Sequence, residues 1–247
     1  MAECILETEK MVVLQAQLGD WDNLNHLLVC KESKKAVIVD PFFSEYWLDV
    51  CSSNGWELEQ VWLTHSHWDH SKGIDGLKDK QVWVHRDESL RGWNGPSNRE
   101  WVNSANTSVI QKIGSLEFEA HCTPGHTPGH MTFIGEGVVI SGDCMFLGRC
   151  GRTDLFGGDV MSQRHSLKHL RTRLSLVPGN WIVLPGHQYE LSDGTNPTFI
   201  TVESLLSDNE ALKALDDDET WNSLEFLSFD DSLAEKARRE KARVDVE

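Results

Sequence analysis

The stretch THSHWDHSKG, residues 64–73, places three histidines and one aspartate within seven positions. A cluster of this kind is either an accident of surface composition or one part of a metal centre, and ligands from distant parts of the chain decide between the two. The residues just before it, LEQVWL (58–63), read as a buried strand, so the cluster sits at a strand's C-terminal end. In an extended segment residues two apart point the same way. His65 and His67 can therefore bind one ion, while the turn that follows aims Asp69 and His70 at a neighbouring one.

The same pattern recurs further along. CTPGHTPGH (122–130) supplies His126, VVISGD (138–143) supplies Asp143 and VLPGH (183–187) supplies His187. A Pro-Gly pair stands directly before His126 and His187, a short rigid connection that fixes the direction of the side chain. Five imidazoles and two carboxylates are enough for two divalent ions, with Asp143 the natural bridge between them. Zinc is the first expectation for this donor set, and iron or manganese also suits it. Asp69 and Asp143 are the carboxylates assigned to catalysis as well as to the metal. His26, His85, His121, His165 and His169 read as polar residues satisfied locally, and His130 as support or core.

The surrounding text alternates strands and helices. MVVLQAQL, NHLLVC and AVIVDP read as successive strands, the last apolar enough to be buried on both faces and ending at Asp40. SEYWLDVCSSNG (44–55) has helical spacing and a glycine stop at Gly55. QVWVH, SLEFEAHC, HMTFIG and GVVISGD read as strands, DVMSQRHSLKHLRTRLSLV (159–177) as an amphipathic helix and WIVLPGH as a final buried strand. This order indicates an α/β layered architecture without internal repeats. RGWNGPSNREWVNSAN (91–106) reads as a loop-like insertion whose Trp93 and Trp101 are either packing residues or a cover over a substrate pocket. From about residue 198 the text is helical and acidic, and the tail AEKARREKARVDVE reads as a solvated helix.

Composition narrows the partners. The chain has 247 residues and a formal net charge of −16, which repels nucleic-acid backbones and anionic membrane surfaces. The expected partner is a small molecule; a small anion would need a local basic spot. MAECILETEK lacks the charge-then-apolar pattern of a secretory signal, and no run of eighteen apolar residues occurs, so the reading is a cytoplasmic protein. Six cysteines without a CxxC pair read as free thiols.

THSHWDH, with His126, Asp143 and His187 following and Asp40 upstream, resembles the metallo-β-lactamase superfamily over residues 10 to 190 or so. The resemblance implies an αββα sandwich, two mixed β-sheets flanked by helices with metals at one edge. The whole chain, 1–247, is then one domain with a core over about 10–190 and a helical, acidic extension over about 191–247. It also implies that Asp40 accepts a hydrogen bond from a ligand histidine and orients it. Members that hydrolyse β-lactams often carry cysteine where Asp143 stands and are usually exported, which disfavours that substrate.

SGDCMFLGRCGRTDLFGGD (141–159) looks like the glyoxalase II branch, in which a basic residue nine positions after the aspartate contacts the thiol substrate; here it is Arg152. Tyr189, in GHQYE, is similar to a tyrosine lining the same site. The function implied is a binuclear metallohydrolase of thioesters, hydroxyacylglutathione-like compounds among them, in which hydroxide generated by the metals attacks the carbonyl. The departure is the acidic C-terminus, where that branch has basic residues. Asp154 reads as a local pairing residue, and Cys144 and Cys150 have no adjacent base. The same segment also resembles persulfide dioxygenases, whose single iron would take His65, His126 and Asp143. Metal identity and stoichiometry separate the two readings.

Overall fold

The computed structural model describes residues 1–244; the last three positions, part of the charged tail, lie outside the described residues. Strands β1 (Glu3–Glu7), β2 (Met11–Gln17), β3 (Leu24–Cys30) and β4 (Lys35–Val39) form an antiparallel meander. Helix α1 (Ser44–Asn54) then crosses to β5 (Glu57–Trp62), which runs parallel to β4. The short helix α2 (Trp68–Ser71) and a 3-10 turn lead to β6 (Gln81–His85), and β7 (Arg99–Trp101) completes a seven-stranded mixed sheet in simple sequential order. The second sheet holds β8 (Ser108–Ile113), β9 (Leu116–Cys122), β10 (Met131–Gly135) and β11 (Val138–Gly142) as antiparallel neighbours. Helix α3 (Val160–Leu174) carries the chain back to β12 (Ile182–Pro185), parallel to β11, and β13 (Ile200–Thr201) closes that edge. Helices α4 (Val202–Asp208), α5 (Glu210–Lys213), α6 (Asp218–Asn222) and α7 (Ser232–Val244) follow.

Three apolar clusters account for the layering. Between the sheets, Trp62 packs on Phe118 and Phe133 with ring centroids 5.4 and 4.9 Å apart, joined by Met11, Leu28 and Ile140. Trp47 and Cys51 of α1 cover the outer face of the first sheet with Leu63 and Leu77. Leu167, Leu170 and Leu174 of α3, spaced at helical intervals, cover the second sheet together with Leu205, Leu212 and Trp221. The molecule is thus the αββα sandwich expected. Local signals agree with it: α1 stops at Gly55, whose φ of 68° is the left-handed cap, and the Asp159 side chain accepts from Ser162 N–H to start α3.

Two expectations change. The 91–106 segment is not a free loop over a pocket: β7 adds to the first sheet, and Trp101 is buried, stacked on Trp83 at 5.3 Å with its Nε1–H donated to Gln111. Trp101 packs here because the sheet edge supplies both an apolar neighbour and an amide acceptor. The tail is not solvated all round either. Ala234 and Ala237 of α7 are buried, and its Leu233, Lys236 and Glu240 line a cavity of about 710 Å3. Strands β1 and β8 carry too little apolar periodicity to have been read from sequence. Among the described residues no helix is long and apolar enough to cross a membrane, and all six cysteines are free thiols.

Candidate metal centre

The loops after β5, β9, β11 and β12 meet at one end of the sandwich. His65, His67 and His126 bring one nitrogen each into a common space, and a carboxylate oxygen of Asp69 meets one nitrogen each of His70 and His187 beside it. Asp143 stands between the groups. Its Oδ2 lies 4.0 Å from His65 Nε2, 3.5 Å from His126 Nε2 and 3.3 Å from His187 Nε2, and its Oδ1 lies 3.5 Å from His70 Nε2. Asp69 Oδ2 is 3.2 Å from His70 Nε2 and 3.3 Å from His187 Nε2. The seven residues singled out in sequence therefore converge, with His65 and His67 in one group and Asp69 and His70 in the other.

Hydrogen bonding decides which nitrogen of each ring faces inward. His126 Nδ1 is 2.7 Å from Arg152 O and His187 Nδ1 is 2.7 Å from Trp21 O. A carbonyl only accepts, so both Nδ1 atoms carry the proton. His70 Nδ1 likewise donates to Asp40 Oδ2 at 3.0 Å. Thr64 Oγ1 gives its own proton to Asp40 Oδ2 at 2.6 Å and so accepts from His65 Nδ1 at 2.9 Å. Four imidazoles are thereby fixed with Nε2 turned to the centre, the nitrogen that would be left to bind a cation. His67 Nδ1 lies 2.9 Å from His126 Nε2.

These inward atoms lack ordinary partners. His65 Nε2, His67 Nε2 and Asp143 Oδ1 are buried with no hydrogen bond among the described residues, and His70 Nε2 faces His187 Nε2 at 3.0 Å. Three carboxylates, Asp40, Asp69 and Asp143, are buried around them. Burial pushes the pKa of His65, His67 and His126 down and favours their neutral, ligating form. Burial opposes charge on His70 and His187 as well, yet Asp69 and Asp143 outweigh it, raising His70 and lifting His187 to about 9. Burial would also raise the two aspartates, but those histidines hold both well below the usual carboxylate range. The centre demands positive charge, and nitrogen and carboxylate donors of this kind fit divalent transition metals.

Supporting residues are built in from both sheets. Asp40 adopts φ 50°, a left-handed conformation rare outside glycine, and in it also accepts from Thr64 N–H. His130 Nε2 accepts from the amides of Asp143 and Cys144 and so fixes the Asp143 turn. Gly186 has no room for a side chain: a Cβ there would lie 2.2 Å from Asp143 Oδ1. His26, His85, His121 and His169 each have a hydrogen-bond partner, and His165 is exposed.

Sequence reasoning missed three residues. Asn23 donates to Asp69 Oδ2 at 2.7 Å. Glu88 is fully buried and accepts from Ser66 N–H and Gly129 N–H, both at 2.8 Å, and from the Ser66 hydroxyl. It clamps the loop of His65 and His67 to the loop of His126. Arg149 lies over the Tyr189 ring, 3.9 Å from its centroid. An asparagine in a strand-edge turn, a glutamate in RDESLR and an arginine in a Gly-rich turn look like ordinary polar residues until the fold is known.

The cavity of about 710 Å3 opens onto Asp69, Asp143 and His187 and is lined by Trp21, Trp68, Phe229 and residues of α7. Tyr189 lines it, and burial pushes that phenol's pKa upward. Arg152, the residue expected to hold an anionic substrate, also borders it, but its guanidinium is already spent on Asp154 (2.6 and 2.8 Å) and Asp231 (2.8 and 3.1 Å). Two carboxylates on one cation leave no positive charge to offer, so Arg152 acts as the latch that ties the start of α7 to the metal loop. Asp154 is the local partner expected.

Known structures show the same architecture. BLEG-1 B3 metallo-beta-lactamase matches with a TM-score of 0.67 at 27% identity over 81% of this chain and 99% of that one. ETHE1 from Myxococcus xanthus gives 0.68 at 22% identity over 92% and 97%. TTHA1623 in a di-iron-bound form gives 0.57 at 27% over 79% and 98%. The family model for the Metallo-beta-lactamase superfamily matches residues 19–187, the span that holds every one of the converging histidines and aspartates, and the chain belongs to that superfamily.

Proposed function

We propose that the protein is a binuclear metal-dependent hydrolase of small anionic thioesters. The observation that carries this reading is the pair of three-residue groups with Asp143 reaching both, each outer imidazole locked by its other nitrogen. His65, His67 and His126 would hold one ion, Asp69, His70 and His187 the other, with Asp143 shared. TTHA1623, known in a di-iron-bound form, supports two ions in a related chain; zinc and manganese suit the same donors. Divalent ions bound there supply Lewis acidity for the substrate carbonyl and lower the pKa of water towards 7.

The chain's own residues do the rest. Asp40, Asn23 and Glu88 keep the donor groups in place, so that little reorganisation accompanies reaction. The aromatic walls exclude bulk water from the acyl group. Asp69 and Asp143 carry the negative charge against which the ions are held. A thiol leaving group, with a pKa near 8.5, departs as thiolate without an obligatory proton donor.

The alternative, one iron on His65, His126 and Asp143 acting with oxygen on a persulfide, leaves the convergence of Asp69, His70 and His187 without a use. Metal analysis of protein purified without added metal, run beside thioester-hydrolysis, β-lactam-hydrolysis and oxygen-uptake assays, tests the proposal. Two ions per chain with thioester turnover is expected. One iron with oxygen uptake transfers the assignment to the dioxygenase, and β-lactam turnover alone transfers it to the lactamases.

A further inference from the structure

Four cationic side chains reach the cavity of this acidic protein, Arg91, Arg149, Arg152 and Lys236. Three already have protein partners. Arg91 donates to Ser66 O, Ser66 Oγ and Phe156 O. Arg152 is held by two aspartates, and Lys236 lies 3.9 Å from Glu240. Arg149 is different: it forms no ion pair among the described residues, and its Nε is buried without a hydrogen-bond partner.

Its mounting is rigid. Arg149 closes a tight turn in which Phe146 N–H donates to Arg149 O at 2.8 Å. The buried Asn209 side chain donates to Phe146 O at 2.9 Å and to Arg149 O at 3.2 Å, and Glu210 N–H donates to Gly148 O at 2.9 Å. The guanidinium rests 3.9 Å from the centre of the Tyr189 ring, and that ring lies 5.9 Å from the ring of His187. One aromatic ring therefore separates an unpaired guanidinium from the metal-facing imidazoles.

We propose that Arg149 determines specificity by taking a carboxylate that the substrate carries close to its scissile carbonyl, on the thiol half or the acyl half. A guanidinium backed by an aromatic ring and fixed by its turn is organised in advance for a two-point carboxylate contact. In a chain of net charge −16 an anion needs such a spot to enter at all. The proposal rests on the hydrolase reading for its reaction but not for its binding step, and the experiment separates the two.

The test uses metal-loaded wild type, Arg149→Met and Arg149→Lys, with metal content measured for each. Hydrolysis is followed on S-acetyl-3-mercaptopropionate and S-succinyl-N-acetylcysteamine, each beside its methyl ester, and binding of the unhydrolysable thioether 3-(methylthio)propanoate is measured by calorimetry. Arg149→Met should retain its metal and lose about ten- to a hundred-fold in KM on the free acid, with far less loss on the ester. Arg149→Lys should fall between. The arm with the larger dependence identifies the half that carries the carboxylate. Thioether binding should weaken by about tenfold or more in Arg149→Met. Equal binding by wild type and Arg149→Met, no binding by wild type, or equal losses on acid and ester would overturn the proposal. A binding difference without any thioester turnover would instead sink the hydrolase reading and leave the anion subsite standing.

Discussion

Replacing Glu88 by glutamine alters the one buried carboxylate among the described residues that touches neither the cavity nor the converging ligands. Its two oxygens serve Ser66 N–H, Gly129 N–H and the Ser66 hydroxyl, all in the interior. Glutamine keeps the volume but turns one oxygen into an NH2 group, so at least one backbone N–H meets a donor. A hydrogen bond to a charged group is worth about 1.5–3 kcal/mol, and a buried donor left unmade costs about 1–3 kcal/mol. A loss of roughly 2–4 kcal/mol follows on that basis, and Glu88→Ala, which strips all three contacts, should lose more. Because Ser66 lies between His65 and His67, and Gly129 shares a loop with His126, part of the loss should appear as weaker metal binding, about ten- to a hundred-fold, as for other residues that orient ligands. Urea denaturation of the metal-loaded protein and competition against a chelator measure the two separately. An unchanged denaturation midpoint together with unchanged metal affinity in Glu88→Gln would refute the clamp.

Other outcomes follow from the same geometry. Asp143→Ala should retain less than half of the wild-type metal and lose nearly all activity, measured by elemental analysis and turnover; full metal retention would remove Asp143 from its bridging position. Gly186→Ala should fold yet bind metal poorly, because the new Cβ would press on Asp143 Oδ1, and wild-type stoichiometry in that variant would show that the turn yields. Arg152→Ala should loosen α7, read as faster proteolysis within residues 232–244, and reduce turnover of charged and neutral thioesters alike. Losses confined to charged substrates would return Arg152 to anion binding. Asp231, held at about 2 by its hydrogen bond to Arg152, has a folded pKa below its ordinary value, so its contribution is present above about 3.8 and is lost as pH falls through about 2. The stability difference between wild type and Asp231→Asn should accordingly shrink across that window in denaturant titrations, and a difference independent of pH would exclude the pair as its source.

The fold and the converging donors were legible because the signals were local or repeated. Each ligand lies at a strand end marked by its own apolar run, and the i, i+2 rule alone separates His65 and His67 from Asp69 and His70. Turn chemistry, as at Gly55, was readable for the same reason. Roles that depend on approach in space were not. Arg152 looked like a free cation because its partner Asp231 is 79 residues away, and Glu88 looked like a surface charge because its acceptor role depends on two loops that meet only in the folded sandwich. Trp101 illustrates the converse: in a Gly- and Asn-rich segment nothing local announces that three residues will add to a sheet edge.

The arrangement of the centre also bears on how the chain is made. His65, His67, Asp69 and His70 come from the first sheet, whereas His126, Asp143 and His187 come from the second, so a nascent chain shows half a chelator for as long as it takes to extend the 117 positions from His70 to His187. Contacts that distant in sequence form late. Until then the exposed histidine cluster is open to whichever cation the cell offers at that moment. If the order of folding bears on the choice of metal, refolding from denaturant in a chosen metal should load the centre differently from exchange into the folded protein.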